Sequence, residues 1–91
     1  MRTFSLTVSS PTGHVFRGEA VLLTLRGAEG ELAVMAGHVP FMTTVVPGRC
    51  KIELEDGTER FGTTNGGLLT VASNNTVTLL SGSFQWSEDE E

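Results

Sequence analysis

Apolar and polar residues alternate along most of this chain. Between Phe4 and Val8 every second residue is apolar, and the residues between are serine or threonine. The same alternation runs from Cys50 to Leu54, where the intervening residues are charged. A period of two is that of a strand with one face in the core and one face in solvent. Further strands are predicted over residues 31–35, 41–46, 58–64, 68–72 and 76–81.

Turn residues separate these strands at short, regular intervals. Pro11-Thr12-Gly13, Pro47-Gly48 and Asn65-Gly66-Gly67 are combinations that favour turns. No segment has a convincing helical period. The pattern predicts an all-β fold, a single small β-sandwich or flattened barrel of about eight to ten short, mostly antiparallel strands.

Residues 14–26 are too long for one ordinary strand. Gly18 interrupts them, and a glycine inside a strand often marks a bulge or a sharp bend. We therefore predict an irregularity at Gly18 that allows one segment to contribute to both sheets.

A hairpin is predicted at Asp56-Gly57, a dipeptide typical of two-residue turns. Closing the hairpin there places Ile52 opposite Phe61 on the buried face. It also places Glu53 opposite Arg60 on the exposed face. Both pairs are chemically compatible, so we expect this register.

The 91 residues are enough for one domain. We assign residues 1–82 to the sandwich and residues 83–91 to an acidic C-terminal tail. Four consecutive acids at 88–91 repel one another and bury nothing, so we expect the tail to be frayed. Phe84 and Trp86 are expected to pack back onto the core or an edge of the sandwich.

Charge and composition exclude several classes of partner. The formal net charge is −5, but the acids at 88–91 supply much of it, and no basic patch is present. Nucleic acid and anionic lipid headgroups are therefore not expected partners. There is no signal peptide and no apolar run near the ~20 residues of a membrane span, so we expect no direct insertion into lipid. A single cysteine fits a reducing, cytosolic compartment.

Candidate chemistry is sparse. His14, His38 and Cys50 could suggest a cysteine nucleophile with a histidine base, but Cys50 lies on the predicted buried face, where cysteine acts as a small hydrophobe. These three residues also lack the spacing of a zinc site. Gly27-Ala28-Glu29-Gly30 and Gly66-Gly67 match no phosphate-binding motif, so we expect no cofactor and no tightly bound nucleotide.

The most distinctive segment is Gly27 to Gly48, with sequence GAEGELAVMAGHVPFMTTVVPG. It resembles the N-terminal β-sandwich domain of the epsilon subunit of rotary F-type ATP synthases. The resemblance extends to residues 8–16 and to residues 66–71 followed by 77–80. The segment departs from the family pattern at Ala33, Ala36 and Val39. The matching residues are Gly27, Glu29, Gly30, Glu31, Leu32, Val34, Gly37, His38, Pro40, Thr43, Pro47 and Gly48.

This resemblance implies a non-catalytic rotor subunit that docks on the gamma subunit and the c-ring. Carried over to matching positions, it implies contact with the c-ring through Glu29, Gly30 and Glu31. It implies contact with gamma through positions corresponding to Ser10, His38 and Thr43. The subunit would couple ion translocation to ATP synthesis, and would be peripheral on the cytoplasmic face of the plasma membrane.

Longer members of the family carry two C-terminal helices that inhibit ATP hydrolysis and in some cases bind ATP. The sequence ends in the acidic run without such a segment, so we expect a complex containing it to lack this autoinhibition. Two other functions stay open at this point. One is a free-standing β-sandwich module that binds a carbohydrate or a peptide, and the other is a cysteine-dependent enzyme.

Overall fold

Ten strands follow one another in the computed structural model, which describes residues 2–87. No helix occurs among these residues. The strands are β1 (Phe4–Ser10), β2 (Gly13–Ala20), β3 (Leu22–Gly27), β4 (Gly30–Val34), β5 (Phe41–Val45), β6 (Gly48–Glu53), β7 (Glu59–Thr64), β8 (Gly67–Val71), β9 (Thr76–Ser81) and β10 (Phe84–Ser87).

The strands form two layers that share one corner. Sheet I contains β4, β3, β6, β7 and β10, and sheet II contains β5, β8, β9, β1 and β2. Between β3 and β5 only Gly27 and Val45 are paired, so the layers meet there. Neighbouring strands are antiparallel except for β1 and β9, which are parallel. The predicted all-β sandwich or flattened barrel is confirmed.

The core fills the space between the sheets with the inward residues of both. These side chains alternate with exposed or half-buried ones along each strand, as the pleat requires. Burying them is the main favourable term in folding. The core consists of Phe4, Leu6, Val8, Ala20, Leu23, Leu25, Val34, Val45, Cys50, Ile52, Leu69, Val71, Val77 and Leu79.

The predicted register of the β6–β7 hairpin is wrong by one residue. Ile52 is opposite Arg60 and Glu53 is opposite Glu59. The loop has three residues, because the Leu54 N–H donates to the Thr58 carbonyl across 55–57 and Gly57 has a φ of 91°. A type I turn followed by a left-handed glycine is the common three-residue loop, and it shifts the pairing by one position.

The predicted irregularity at Gly18 is also misplaced. Gly18 is paired in register with Leu6, and the bulge lies at Val15, between the pairs Val8–Phe16 and Ser9–His14. A Cβ at Gly18 would lie 3.4 Å from the Phe16 ring, so the glycine gives that ring room. The chain passes from sheet II to sheet I at Val21. One segment does serve both sheets, as expected.

The predicted frayed tail begins too early. Phe84–Ser87 form β10, which pairs with β7 from Phe84–Thr64 to Ser87–Phe61. A Cβ at Gly62 would lie 2.5 Å from the Phe84 ring, so Gly62 leaves the space in which this ring packs. Phe84 and Trp86 pack against the core, as expected. Residues 88–91 of the predicted tail lie outside the described residues.

The two ends of the sandwich differ in what they carry. The hairpin end holds the β3–β4 turn, the β1–β2 turn and the β5–β6 corner, because Gly27, Ser10 and Val45 are the terminal residues of their strands there. The opposite end holds the bend at Val21 and the loop from Met35 to Pro40. The length of β3 separates the two ends by about 17 Å, at about 3.3 Å per residue.

Candidate functional site

The β3–β4 hairpin presents two carboxylates at a tight turn. Gly27 and Gly30 are paired and enclose Ala28 and Glu29, and Gly30 has a φ of 131°, which a residue with a side chain rarely adopts. Glu29 and Glu31 are exposed. The structure thus brings the three residues predicted to contact the c-ring, Glu29, Gly30 and Glu31, together at the hairpin end.

Ser10 and His38 lie at opposite ends of sheet II. Ser10 ends β1, and its hydroxyl is 3.0 Å from the Thr12 hydroxyl in the following turn. His38 is exposed in the loop before β5. Its Nδ1 donates to the Val39 carbonyl at 2.9 Å, and its ring lies 4.9 Å from the Phe41 ring. Two of the three predicted gamma contacts are therefore not adjacent to each other.

Thr43 lies in the middle of β5, opposite Leu69 of β8. It is half-buried and on the inward side of the strand, whereas its neighbours Met42 and Thr44 are exposed. Ser10, His38 and Thr43 thus lie along sheet II but form no compact cluster. The outward side of β5 is presented by Met42 and Thr44.

The outer face of sheet II carries no charged side chain on four adjacent strands. We call this surface the uncharged face. Leu80 is 51% exposed and Met42 is 63% exposed. Threonines and serines surround these aliphatic side chains. The uncharged face consists of Met42 and Thr44 of β5, Leu68 and Thr70 of β8, Thr76, Thr78 and Leu80 of β9, and Ser5, Thr7 and Ser9 of β1.

Charged residues begin only at the edge strand, β2. Arg17 is opposite Thr7, and Glu19 is opposite Ser5. The hydroxyls of Thr3 and Ser5 donate to the Glu19 carboxylate at 2.7 and 2.9 Å. These bonds lower the pKa of that carboxyl below its ordinary value. The edge of the uncharged face is therefore anionic at neutral pH at this point.

The outer face of sheet I has the opposite character. Both signs of charge are interspersed there, and the Lys51 ammonium is 3.7 Å from the Glu59 carboxylate. The Arg49 guanidinium lies 5.4 Å from the centre of the Phe61 ring. A mixed charged surface is typical of a face that stays in water. The charged residues on it are Arg26, Glu31, Arg49, Lys51, Glu53 and Glu59.

The structure offers little support for a cysteine nucleophile. Cys50 is 1% exposed, and burial raises the pKa of its thiol to about 12. The thiolate, which is the reactive form, is therefore scarce at neutral pH. His14 bonds to the Ser9 hydroxyl through Nδ1, at 2.9 Å, and Nδ1 of His38 bonds to the Val39 carbonyl.

Residues 2–87 contain neither a metal-binding cluster nor a membrane-spanning helix. No group of three or more histidine, cysteine, aspartate or glutamate side chains in this range could hold a metal ion. That part of the chain also has no helix of the length and apolarity needed to cross a bilayer.

Chains in solved structures of ATP synthases share this fold, and two of them are the following. A chain of the Euglena gracilis mitochondrial ATP synthase, in the OSCP/F1/c-ring assembly in rotational state 1, aligns with 98% of this chain at a TM-score of 0.90 and 23% identity. A chain of the Tetrahymena thermophila mitochondrial ATP synthase central stalk/c-ring aligns with 91% at a TM-score of 0.77 and 17% identity. This chain spans 56% and 66% of the length of those two chains.

The family assignment rests on the sequence match. The family described as "ATP synthase, Delta/Epsilon chain, beta-sandwich domain" matches residues 3–87. This range contains all ten strands and both predicted contact regions. The chain therefore belongs to the ATP synthase delta/epsilon family and forms its β-sandwich domain.

Proposed function

We propose that this protein is a non-catalytic central-stalk subunit of a rotary F-type ATP synthase. It docks on the gamma subunit and on the c-ring, and helps to couple ion translocation to ATP synthesis. Family membership supports a role in the stalk, and the fold shared with chains from two mitochondrial ATP synthases, one of them from a central stalk/c-ring structure, agrees with it. Docking on the c-ring also holds the protein at the membrane without insertion into lipid. The expected location on the cytoplasmic face of the plasma membrane stays a prediction.

The observation that carries this proposal is the uncharged face. Depletion of charge with exposed aliphatic side chains is typical of the buried centre of a protein interface. Leu80 and Met42 provide the aliphatic contacts. The threonine hydroxyls around them can exchange hydrogen bonds with a partner and need no buried counter-ion. We assign gamma to this face, with Thr43 beneath it and with Ser10 and His38 near its two ends.

The c-ring contact is assigned to the β3–β4 hairpin. Glu29 lies in the two-residue turn and Glu31 is the second residue of β4, so both carboxylates lie at this end of the sandwich and can reach a partner beyond it. Exposed carboxylates at an interface rim mainly affect association rate and salt dependence. Glu31→Gln alone should therefore weaken docking only modestly.

Site-directed crosslinking in the assembled complex tests both assignments. Glu29→Cys should crosslink to a loop of a c subunit, and His38→Cys should crosslink to gamma. Cys50→Ala serves as the common background, because it removes the only native thiol. The reversed pattern would contradict the assignment of the two regions. Crosslinks from neither position would contradict docking through them.

A binding module for a carbohydrate or peptide is the alternative. It predicts retention of the isolated protein on glycan or peptide matrices and no association with a membrane ATPase. Co-purification with the ATPase is the observation that separates the two functions, because the module would not be retained in a purified synthase.

A further inference from the structure

The β1–β2 turn has the same geometry as the β3–β4 hairpin. Each turn has two residues at its tip, and the pairs Ser10–Gly13 and Gly27–Gly30 close the two turns. Gly13 has a φ of 129° and Gly30 has a φ of 131°. A Cβ added at either glycine would meet nothing within 4 Å in residues 2–87 beyond its chain neighbours. Both turns therefore present their tips in the same way, with free space beside them.

A row of neighbouring residues connects the two turns across five strands. Successive members are paired, except that the last two directly follow a pair of the parallel strands β9 and β1. The row consists of Gly27, Val45, Gly67, Ser81 and Ser10. Adjacent strands are about 4.8 Å apart, so these four steps separate the turns by about 19 Å along the sheet. The turns lie at the same end of the sandwich, well apart and on different sheets.

The tip of the β1–β2 turn is ordered and uncharged. Pro11 and Thr12 are both exposed. Proline has a fixed φ, and the Thr12 hydroxyl is 3.0 Å from the Ser10 hydroxyl. A turn that is ordered before it binds loses little conformational entropy on docking. Neither tip residue carries a charge, so contact with a partner buries no ion that needs a counter-ion.

Two separated contacts suit a rotor subunit better than one. A subunit held at a single turn can pivot about that contact, whereas two distant contacts resist this rotation. The proposed function places the β3–β4 hairpin against the c-ring, and the β1–β2 turn lies at the same end of the sandwich. A ring of like subunits presents the same loop at regular intervals. A second turn at a distance from the first can therefore meet an equivalent loop of another c subunit.

We propose that the β1–β2 turn is a second contact with the c-ring, on a different c subunit from the one that the β3–β4 hairpin meets. This inference rests on the proposed function. It adds Pro11 and Thr12 to the docking residues. The gamma contact on the uncharged face then ends at Ser10, and the turn beyond Ser10 belongs to the c-ring contact.

Photo-crosslinking from single cysteines in an otherwise cysteine-free purified synthase tests this proposal. A maleimide that carries a benzophenone is attached to Thr12→Cys, Glu29→Cys or Glu55→Cys, each on the Cys50→Ala background. Glu55 is the matched control, because it is exposed in the β6–β7 loop at the opposite end of the sandwich. Thr12→Cys should crosslink to a c subunit, with at least tenfold less from Glu55→Cys. The double variant Thr12→Cys/Glu29→Cys should yield a product that contains two c subunits.

Three results contradict the proposal in a complex where Glu29→Cys does crosslink to a c subunit. They are a crosslink from Thr12→Cys to gamma only, a yield from Thr12→Cys no higher than from Glu55→Cys, and a double variant that joins one c subunit but never two. Absence of any c-subunit crosslink from Glu29→Cys would instead reject the c-ring contact of the proposed function, and this inference with it. The two failures are therefore distinguishable.

Discussion

At the scale of single residues, Cys50 shows how burial determines chemistry. Its side chain faces the core beside Ile52, and its thiol pKa is raised to about 12 from an ordinary value of 9.0. The alternation of Cys50, Ile52 and Leu54 along the chain is enough to predict this burial. Neither His14 nor His38 could by itself make this cysteine reactive, since its thiol is enclosed.

We predict that Cys50→Ala folds normally and loses about 1–2 kcal/mol of stability through the cavity it creates. The loss should shrink at alkaline pH. Above pH 9.0 the unfolded thiol ionises while the buried thiol stays protonated, so the native protein with cysteine loses stability as pH rises toward 12. The alanine variant has no such term.

Denaturant unfolding of both proteins between pH 7 and pH 10.5 measures this difference. A gap that stays constant or widens with pH would contradict the buried, protonated thiol. Rapid modification of the native thiol by a maleimide at pH 7 would contradict it independently.

At the scale of strands, glycines determine how closely neighbouring strands can approach each other. A Cβ on Gly67 would overlap the Leu80 carbonyl oxygen of the adjacent strand β9. Backbone cannot move aside as a flexible side chain can. The β8–β9 pairing, which carries the middle of the uncharged face, therefore depends on this glycine.

We predict that Gly67→Ala destabilises the protein by about 1–3 kcal/mol or more, because overpacking forces a backbone shift. Gly48→Ala is the matched control, since a Cβ there would meet only the Arg26 side chain at an ordinary 3.8 Å. Thermal unfolding compares the two. Equal melting temperatures for both variants would show that β8 and β9 can separate without cost.

Strand β10 gives a second prediction at this scale. The Trp86 ring lies 5.1 Å from the Phe84 ring and 6.3 Å from the Phe16 ring of β2, and the Arg60 guanidinium lies 3.9 Å from its centre. Trp86→Ala should cost about 2–3 kcal/mol, less than a fully buried tryptophan because the ring is partly exposed. The control is Gln85→Ala on the exposed side of the same strand. If Trp86→Ala lowers the free energy of unfolding no more than Gln85→Ala does, β10 does not close the sandwich.

The sequence predicts strands well and their pairing less well, for a physical reason. Alternation locates the buried face of each strand from local residues alone. Register depends instead on loop conformation, and Asp56-Gly57 is compatible with a two-residue or a three-residue loop. The bulge lies at Val15, which is not a glycine, so a search for glycines within the strand does not locate it. Two features of the sequence bear on β10: the alternation of Phe84 and Trp86, and the glycine at position 62. Their relation is visible only in the structure, where β10 pairs with β7 and Gly62 leaves room for the Phe84 ring.

The candidate site was predictable only in part for the same reason. Glu29, Gly30 and Glu31 are consecutive, so a turn was enough to bring them together. Ser10, His38 and Thr43 are distant in sequence, and their relation depends on the strand order of sheet II. The uncharged face is not evident from the sequence, because its residues alternate with core residues on four separate strands. Only the assembled sheet brings them to one surface.

At the scale of the whole molecule, the two sheets have distinct outer surfaces on one shared core. Sheet I carries mixed charge, and sheet II carries none on four adjacent strands. Folding requires neither pattern on an outward face, because these side chains lie outside the core. The asymmetry therefore points to assembly: the uncharged face fits contact with a partner, and the outer face of sheet I, apart from Glu31 at the hairpin end, fits solvent.

This asymmetry leads to a matched pair of substitutions. Thr78 lies on the uncharged face in the middle of β9, and Thr24 lies on the outer face of sheet I opposite Lys51. Both threonines are half-buried and lie inside strands. Thr78→Glu should reduce binding to gamma at least tenfold, since a carboxylate buried at an interface without a partner costs more than about 1.4 kcal/mol. Thr24→Glu should leave binding almost unchanged, because Lys51 and water can accommodate the new charge.

Titration of each folded variant against purified gamma, with circular dichroism to verify the fold, gives both affinities. The comparison separates loss of docking from loss of stability, because the added group is the same in the two proteins and only the face differs. Equal affinities would exclude the uncharged face as the gamma interface. A larger loss for Thr24→Glu would transfer the interface to sheet I, whose mixed charges would then have to be matched by charges on the partner.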